Sequence, residues 1–208
     1  MGVCSVGVSA GSADMNITRE WAMPNRWTFT IAPIKKLLDR YVGDGTEWID
    51  PFCGTSTLAA HRNDLDPTIK GCSHKLALDF VKEMTDQLNG ILFDPPYSGR
   101  QVSECYTHLK QKVHMDDTSS YFYWSVKREV APKIKPGGYA ISFGWNSSGF
   151  GGKLGFEIIE ILLICHGSNH NDTIVTVERK MNKSILIPPI IAQPGGIQPG
   201  THNAVMYP

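Results

Sequence analysis

The chain has 208 residues, 41% hydrophobic and 19% charged, with 20 basic against 20 acidic side chains and a formal net charge of zero. That length supports one well-buried domain and is too short for two of ordinary size, and a neutral chain has no general attraction to a polyanion. No apolar run approaches the roughly 20 residues that span a bilayer and the N-terminus has no basic, apolar leader, so a cytoplasmic protein without a membrane partner is expected.

Residues 1–14 are rich in Gly, Ser and Ala and are expected to be a disordered extension, with Met15 as an alternative start. Residues 15–185 are expected to form a single domain. Within it, Pro33 opens a helix running to Tyr41, with Ile34, Leu37, Leu38 and Tyr41 on one face. A short strand from Glu47 to Asp50 runs into the small-residue loop Pro51-Phe52-Cys53-Gly54-Thr55-Ser56, an arrangement that lets backbone N–H groups approach an anionic or zwitterionic ligand. About ten residues later comes Asn63-Asp64-Leu65-Asp66-Pro67, the acidic end of the next strand. A normal crossover needs a dozen or more residues, so the helix between the two strands must be very short or replaced by an irregular loop. Ala77, Phe80, Val81 and Met84 mark an amphipathic helix that leaves Asp79 on its exposed side.

Gly90 to Asp94 reads as a buried strand, followed by a polar stretch, 98–117, with room for one helix and the character of a lid. Tyr121-Phe122-Tyr123-Trp124 leads a helix that is expected to stop at the breakers Lys135-Pro136-Gly137-Gly138. Phe122 belongs to the core, whereas Tyr123 and Trp124 suit either the core or stacking on bases. Tyr139 to Phe143 is a strand ending at Gly144-Trp145-Asn146, and Phe156–Cys165 with Thr173–Glu178 form a hairpin across residues 166–172. Residues 186–208 are a Pro- and Gly-rich tail without a core of its own.

The tetrapeptide Asp94-Pro95-Pro96-Tyr97 suggests a chemistry because it closes a strand, and ligands of open α/β sheets bind outside the carboxyl ends of strands. An exocyclic amino group on a nucleobase is a poor nucleophile, since its lone pair is delocalised into the ring. The Asp94 carboxylate and the Pro95 carbonyl, kept extended by Pro96, can each accept one of its N–H groups. The nitrogen then becomes more tetrahedral and turns its lone pair toward an electrophilic methyl, while Tyr97 stacks on the base, a contact worth about 1–3 kcal/mol. The plainer reading is a Pro-Pro turn with an Asp cap.

Asp50-Pro51-Phe52-Cys53-Gly54 followed by Asp94-Pro95-Pro96-Tyr97 resembles the S-adenosylmethionine-dependent amino-methyltransferases of DNA, and the Asp-Pro-Pro-Tyr form is typical of those acting on adenine N6. Pro24 to Leu38 is similar to that family's N-terminal cofactor motif. The opening, the Phe143-Gly144-Trp145-Asn146 strand end and the Asn169 to Glu178 hairpin are like those of small phage and prophage members, and the resemblance covers roughly residues 15 to 180. It implies an α/β, Rossmann-like class I methyltransferase fold, a mostly parallel sheet ending in an antiparallel hairpin. It also implies S-adenosylmethionine as cofactor, with Asp94, Pro95, Pro96 and Tyr97 catalytic. Thr28, Phe29, Asp50, Phe52, Cys53 and Gly54 would contact the cofactor, with Asp64 (or Asp66) on the ribose and Asp79 near the adenine ring.

The implied partner is duplex or single-stranded DNA. No insertion of target-recognition size interrupts the chain, so loops 98–118 and 144–154, a homodimer or a recognition partner would complete the readout. Two departures stand out: Ser56 replaces the loop's usual second glycine, and Leu76 replaces an expected acidic residue. They keep two alternatives open, methylation of RNA amino groups and a catalytically weak nucleic-acid-binding subunit.

Five scattered cysteines without a Cys-x-x-Cys pair imply reduced thiols. Cys105, His108 and His114, and the pair His166 and His170, do not assemble the four convergent ligands of a structural zinc site, so no metal is expected. Lys110-Gln111-Lys112, Lys127-Arg128 and Lys133-Ile134-Lys135 suit solvated helix faces better than a basic patch.

Overall fold

The structure, a computed structural model, describes residues 15–85, 87–96, 120–167 and 170–182. The extension 1–14, Tyr97, the stretch 98–117 with Cys105, His108, His114 and the Lys110–Lys112 group, and the tail 186–208 lie outside the described residues. Seven strands form one sheet: β1 (Asn16–Trp21), β2 (Trp48–Asp50), β3 (His61–Arg62), β4 (Leu88–Phe93), β5 (Ile134–Gly144), β6 (Phe156–Cys165) and β7 (Thr173–Lys180), in the order β1-β6-β7-β5-β4-β2-β3. The β2–β3, β2–β4, β4–β5 and β1–β6 pairs are parallel, and β7 runs antiparallel to both β5 and β6. This is the Rossmann-like, mostly parallel sheet closing in an antiparallel hairpin that the sequence implied.

Alternate residues of the central strands feed two cores, as the strand period of two requires. On one face α1 (Ala32–Tyr41) packs Ile34, Leu37 and Leu38 against Leu92, Ile141, Val175 and Val177. On the other, Ala77, Phe80 and Val81 of α2 (Ala77–Glu83) join Val126 and Val130 of α3 (Ser120–Val130) over Ile49, Ile91, Phe93 and Ala140. Burial on both faces explains why β4 reads as an unbroken apolar run. The link from β2 to β3 has no helix and crosses as an irregular loop, as its length demanded.

Three features depart from the sequence reading. β1 was not foreseen; it adds to the outside of the hairpin, and five of its six residues are exposed, so it carries no buried alternation. The helix at Tyr121 ends at Val130, passes through a 3-10 turn at Ala131–Lys133, and is followed at once by β5. The Lys135 to Gly138 breakers therefore lie inside that strand. There the register jumps from Leu88↔Ile134 to Gly90↔Tyr139, with Gly137 in the left-handed region at φ +82°. A proline without an N–H and a left-handed glycine are tolerated because they form a bulge opposite Asn89, and pairing resumes beyond it.

Gly90 is fixed by close approach. A Cβ there would sit 2.6 Å from Trp48 Cη2 and 2.8 Å from the Tyr139 carbonyl oxygen. Gly90→Ala is expected to cost about 1–3 kcal/mol by overpacking, read as a lower urea midpoint at unchanged slope.

Among the described residues, Cys53, Cys72 and Cys165 are free thiols, no three His, Cys, Asp or Glu side chains converge as metal ligands, and no helix is long and apolar enough to cross a membrane.

Candidate active site

β2 and β4 are parallel neighbours, with Trp48 opposite Gly90 and Ile49 opposite Ile91. The Asp50–Ser56 loop and the Asp94-Pro95-Pro96 segment therefore emerge side by side at the carboxyl end of the sheet. Asp50 closes β2 and is fully buried. Its Oδ1 accepts the Phe52 N–H at 3.1 Å, and its Oδ2 has no hydrogen-bond partner among the described residues. Burial holds this carboxyl well above its ordinary range, and repulsion from Asp94 and Asp64 adds to the effect.

The loop lacks a helix to organise it, and side chains do that work. Gly54, at φ +48°, donates its N–H to Asp64 Oδ2 at 2.8 Å, and Cys53 N–H donates to the Asn63 carbonyl at 2.9 Å. Asn63 is buried and laces three segments together: its Nδ2 donates to the carbonyls of Pro51 (3.2 Å) and Lys75 (2.9 Å), and its Oδ1 accepts the Lys75 N–H at 2.9 Å. Sequence reasoning did not single out Asn63; its only signal was a polar residue at the end of a strand reached by too short a crossover. Trp27 roofs the loop, its ring 3.5 Å from where a Gly54 Cβ would lie.

Ser56 adopts no positive φ and its Oγ accepts the Leu58 N–H at 3.3 Å, so the loop does not need a second glycine there. Asp64 also caps the turn through its Oδ1 and the Asp66 N–H (2.9 Å), while Asp66 caps the next one through the Thr68 N–H (2.8 Å). The Cys53 thiol is pushed up by burial, which suits a wall rather than a nucleophile.

Asp94 follows β4 directly. Burial raises its carboxyl to about 7, against the opposing effect of a hydrogen bond from the Thr28 hydroxyl. Thr28 opens the 3-10 turn Thr28–Thr30 that leads into α1, so the segment before the helix reaches the carboxyl end of β4. Its neighbour Phe29 packs on Phe143, ring centres 4.8 Å apart.

Pro95 is buried, and the Pro96 carbonyl accepts the Tyr123 hydroxyl at 3.1 Å. Tyr123 also meets Phe52 and Phe93 edge-on at 6.0 and 6.4 Å, and Phe52 meets Phe93 at 5.5 Å. One aromatic cluster thus ties the Asp50 loop, the end of β4 and the start of α3 together. Tyr123→Phe keeps the ring contacts and loses one hydrogen bond to the Pro96 carbonyl. It is expected to cost about 1 kcal/mol of stability, measured by thermal denaturation.

The structure brings together Thr28, Asp50, Phe52, Cys53, Gly54, Asp64, Asp94, Pro95 and Pro96. Asp79 stands apart, in the exposed first turn of α2 with its carboxylate 3.3 Å from Lys82 Nζ, and Leu76 just before it is exposed. Three carboxyl groups, those of Asp50, Asp64 and Asp94, gather at this end of the sheet. A ligand carrying positive charge and N–H or O–H donors matches it.

No protein-family model matches the chain, and no curated protein does. Among solved structures it is similar to TrmN from Thermus thermophilus, at 17% identity and a TM-score of 0.48, over 73% of this chain and 49% of that one. The chain therefore spans about half the length of TrmN. It is also similar to N-methyltransferase NodS from Bradyrhizobium japonicum WM9, at 10% identity and a TM-score of 0.45 over 71% of this chain and 93% of that one. The NodS complex with S-adenosyl-l-homocysteine gives 9% identity and a TM-score of 0.42, over 70% and 84%.

Proposed function

We propose that this chain transfers a methyl group from S-adenosylmethionine to the exocyclic N6 amino group of adenine in DNA. The observation that carries the reading is the emergence of Asp94-Pro95-Pro96 from β4 directly beside the Asp50–Gly54 loop, with the Thr28 hydroxyl bonded to the Asp94 carboxyl. A donor-rich, cationic cofactor fits the residues present. The buried Asp50 Oδ2 has no partner among the described residues, and Asp64 is held at the loop by Gly54 N–H. Asp50, Phe52, Gly54 and Asp64 would hold the cofactor, which supplies an electrophilic methyl on a sulfonium.

This chain's own contribution is positioning and electrostatics. Ionised Asp94 accepts one N–H of the target amino group and the Pro95 carbonyl accepts the other, which draws the nitrogen lone pair out of the ring. Pro96 restricts Pro95 to extended backbone, and the Tyr123 hydroxyl fixes the next carbonyl along. A carboxyl near 7 is also matched to take up the proton that the nitrogen sheds at neutral pH. By the resemblance, Tyr97 would stack on the base. A duplex adenine must first be flipped out, at a few kcal/mol of unstacking, which single-stranded DNA avoids.

The test is methyl transfer from labelled S-adenosylmethionine to unmethylated duplex DNA, single-stranded DNA and RNA in parallel, with nucleoside analysis and calorimetry of cofactor binding. N6-methyladenine in DNA is expected. Methylated RNA alone would move the assignment to RNA amino groups, and cofactor binding without transfer would favour a subunit that needs a partner. Neither binding nor transfer would sink the reading.

A further inference from the structure

We infer that β1 is the contact through which two copies of this chain pair, edge to edge and antiparallel about a two-fold axis at Arg19. This rests on the outer strand alone and is independent of the catalytic reading. β1 ends the sheet order, so its outer side has no strand neighbour among the described residues. Ala22 N–H donates to the Cys165 carbonyl at 3.2 Å, which turns the even-numbered residues toward β6. By the alternation of strand backbone, the odd-numbered residues send their N–H and C=O groups outward.

Those same odd positions carry large apolar side chains in the open: Met15, Ile17, Trp21 and Met23 are 45%, 50%, 65% and 66% exposed. Two of them, Ile17 and Trp21, lie on the edge strand and two just beyond its ends, and such a cluster marks an interaction surface, since native edges are usually blunted by charge or proline.

The order of the side chains identifies the occupant. About Arg19 the pattern is symmetric, with apolar residues two and four positions away on either side. In a two-fold antiparallel pair centred there, Ile17 faces Trp21 and Met15 faces Met23, each twice. The hydrogen-bonded pairs fall on the odd residues whose polar groups already point outward. A surface that complements itself is what an isologous interface requires. Arg19, on the axis, is drawn back onto its own hairpin: Nε donates to Cys165 Sγ at 2.9 Å and Asp172 attracts its charge. On the other face Thr18 stands opposite Glu20 as a non-hydrogen-bonded pair, so no like charges meet there.

Sedimentation equilibrium of the full chain at about 1–50 μM tests this. The wild type is expected to be dimeric, and the double variant Ile17→Lys with Trp21→Lys, which sets like charges opposite each other, monomeric, with an unchanged circular dichroism spectrum. Register is tested separately by Thr18→Cys with Glu20→Cys, which should form an intermolecular disulfide on mild oxidation while the wild type forms none. A monomeric wild type at 50 μM, a double variant that stays dimeric, or cysteines that fail to cross-link would each overturn the proposal. So would a monomer that dimerises only after removal of residues 183–208, which would give this edge to the chain's own tail.

Discussion

Asp94→Asn is expected to lower methyl transfer by about 10²-fold or more, leave cofactor binding in place, and stabilise the folded protein above neutral pH. The first two outcomes follow from the role proposed for the carboxylate, as an acceptor for the target amino group. The third follows from linkage. Asp94 has a folded value of about 7 against an ordinary 3.8, so between those limits the folded state keeps a proton that the unfolded chain releases. Stability of the wild type therefore falls as pH rises from about 4 to about 7, and the full penalty stands above that.

Asparagine carries no such penalty. The variant should match the wild type near pH 3.5 and exceed it at pH 8 by about 2 kcal/mol, or about 5 °C in Tm, discounted for the surface Asp94 retains. Thermal melts across that range, beside a transfer assay, measure both effects. Full transfer in the variant would remove Asp94 from the mechanism, and parallel stability curves would show that the carboxyl is not desolvated.

Glu178→Ala is expected to cost about 3–5 kcal/mol, a fall of roughly 10 °C in Tm. Glu178 on β7 is fully buried, and its carboxylate accepts the N–H groups of Phe150 (2.6 Å) and Gly151 (2.7 Å). Burial raises its pKa, opposed by those two donors and by the Lys127 charge. Lys127 in turn donates to the Gly149 carbonyl at 2.6 Å and lies over the rings of Phe93 and Phe150. Truncation strands two N–H donors and a half-buried cation together. Glu178→Gln keeps an acceptor and should lose distinctly less. Because Phe150 also packs on Phe93, one residue before Asp94, the alanine variant should loosen the end of β4 as well.

Legibility in the sequence followed burial. α1 and the β6–β7 hairpin were readable because apolar residues recur at the period of their element, as Ile34, Leu37 and Leu38 do, and β4 because it closes in an apolar run. β1 was invisible because its apolar residues face outward, and the Pro136-Gly137-Gly138 bulge looked like a turn because the pairing that continues beyond it is a tertiary event. At the candidate site, the positions of Asp50 and Asp94 at the ends of β2 and β4 could be read from the apolar runs before them. The roles of Asn63 and Tyr123 could not, since each depends on residues 12 and 27 positions away. Asp79 shows the converse, a residue that suits a family pattern while its carboxylate engages Lys82 in the next turn.

The lacing by Asn63 has a consequence for how the molecule loosens. A crossover helix would let the loop after β2 hold its shape through its own backbone, whereas here one amide side chain carries the connection to Pro51 and Lys75. The two segments therefore form a single opening unit, less protected against amide hydrogen exchange than the central strands. Occupancy of one segment by a ligand would then be felt as slowed exchange in both.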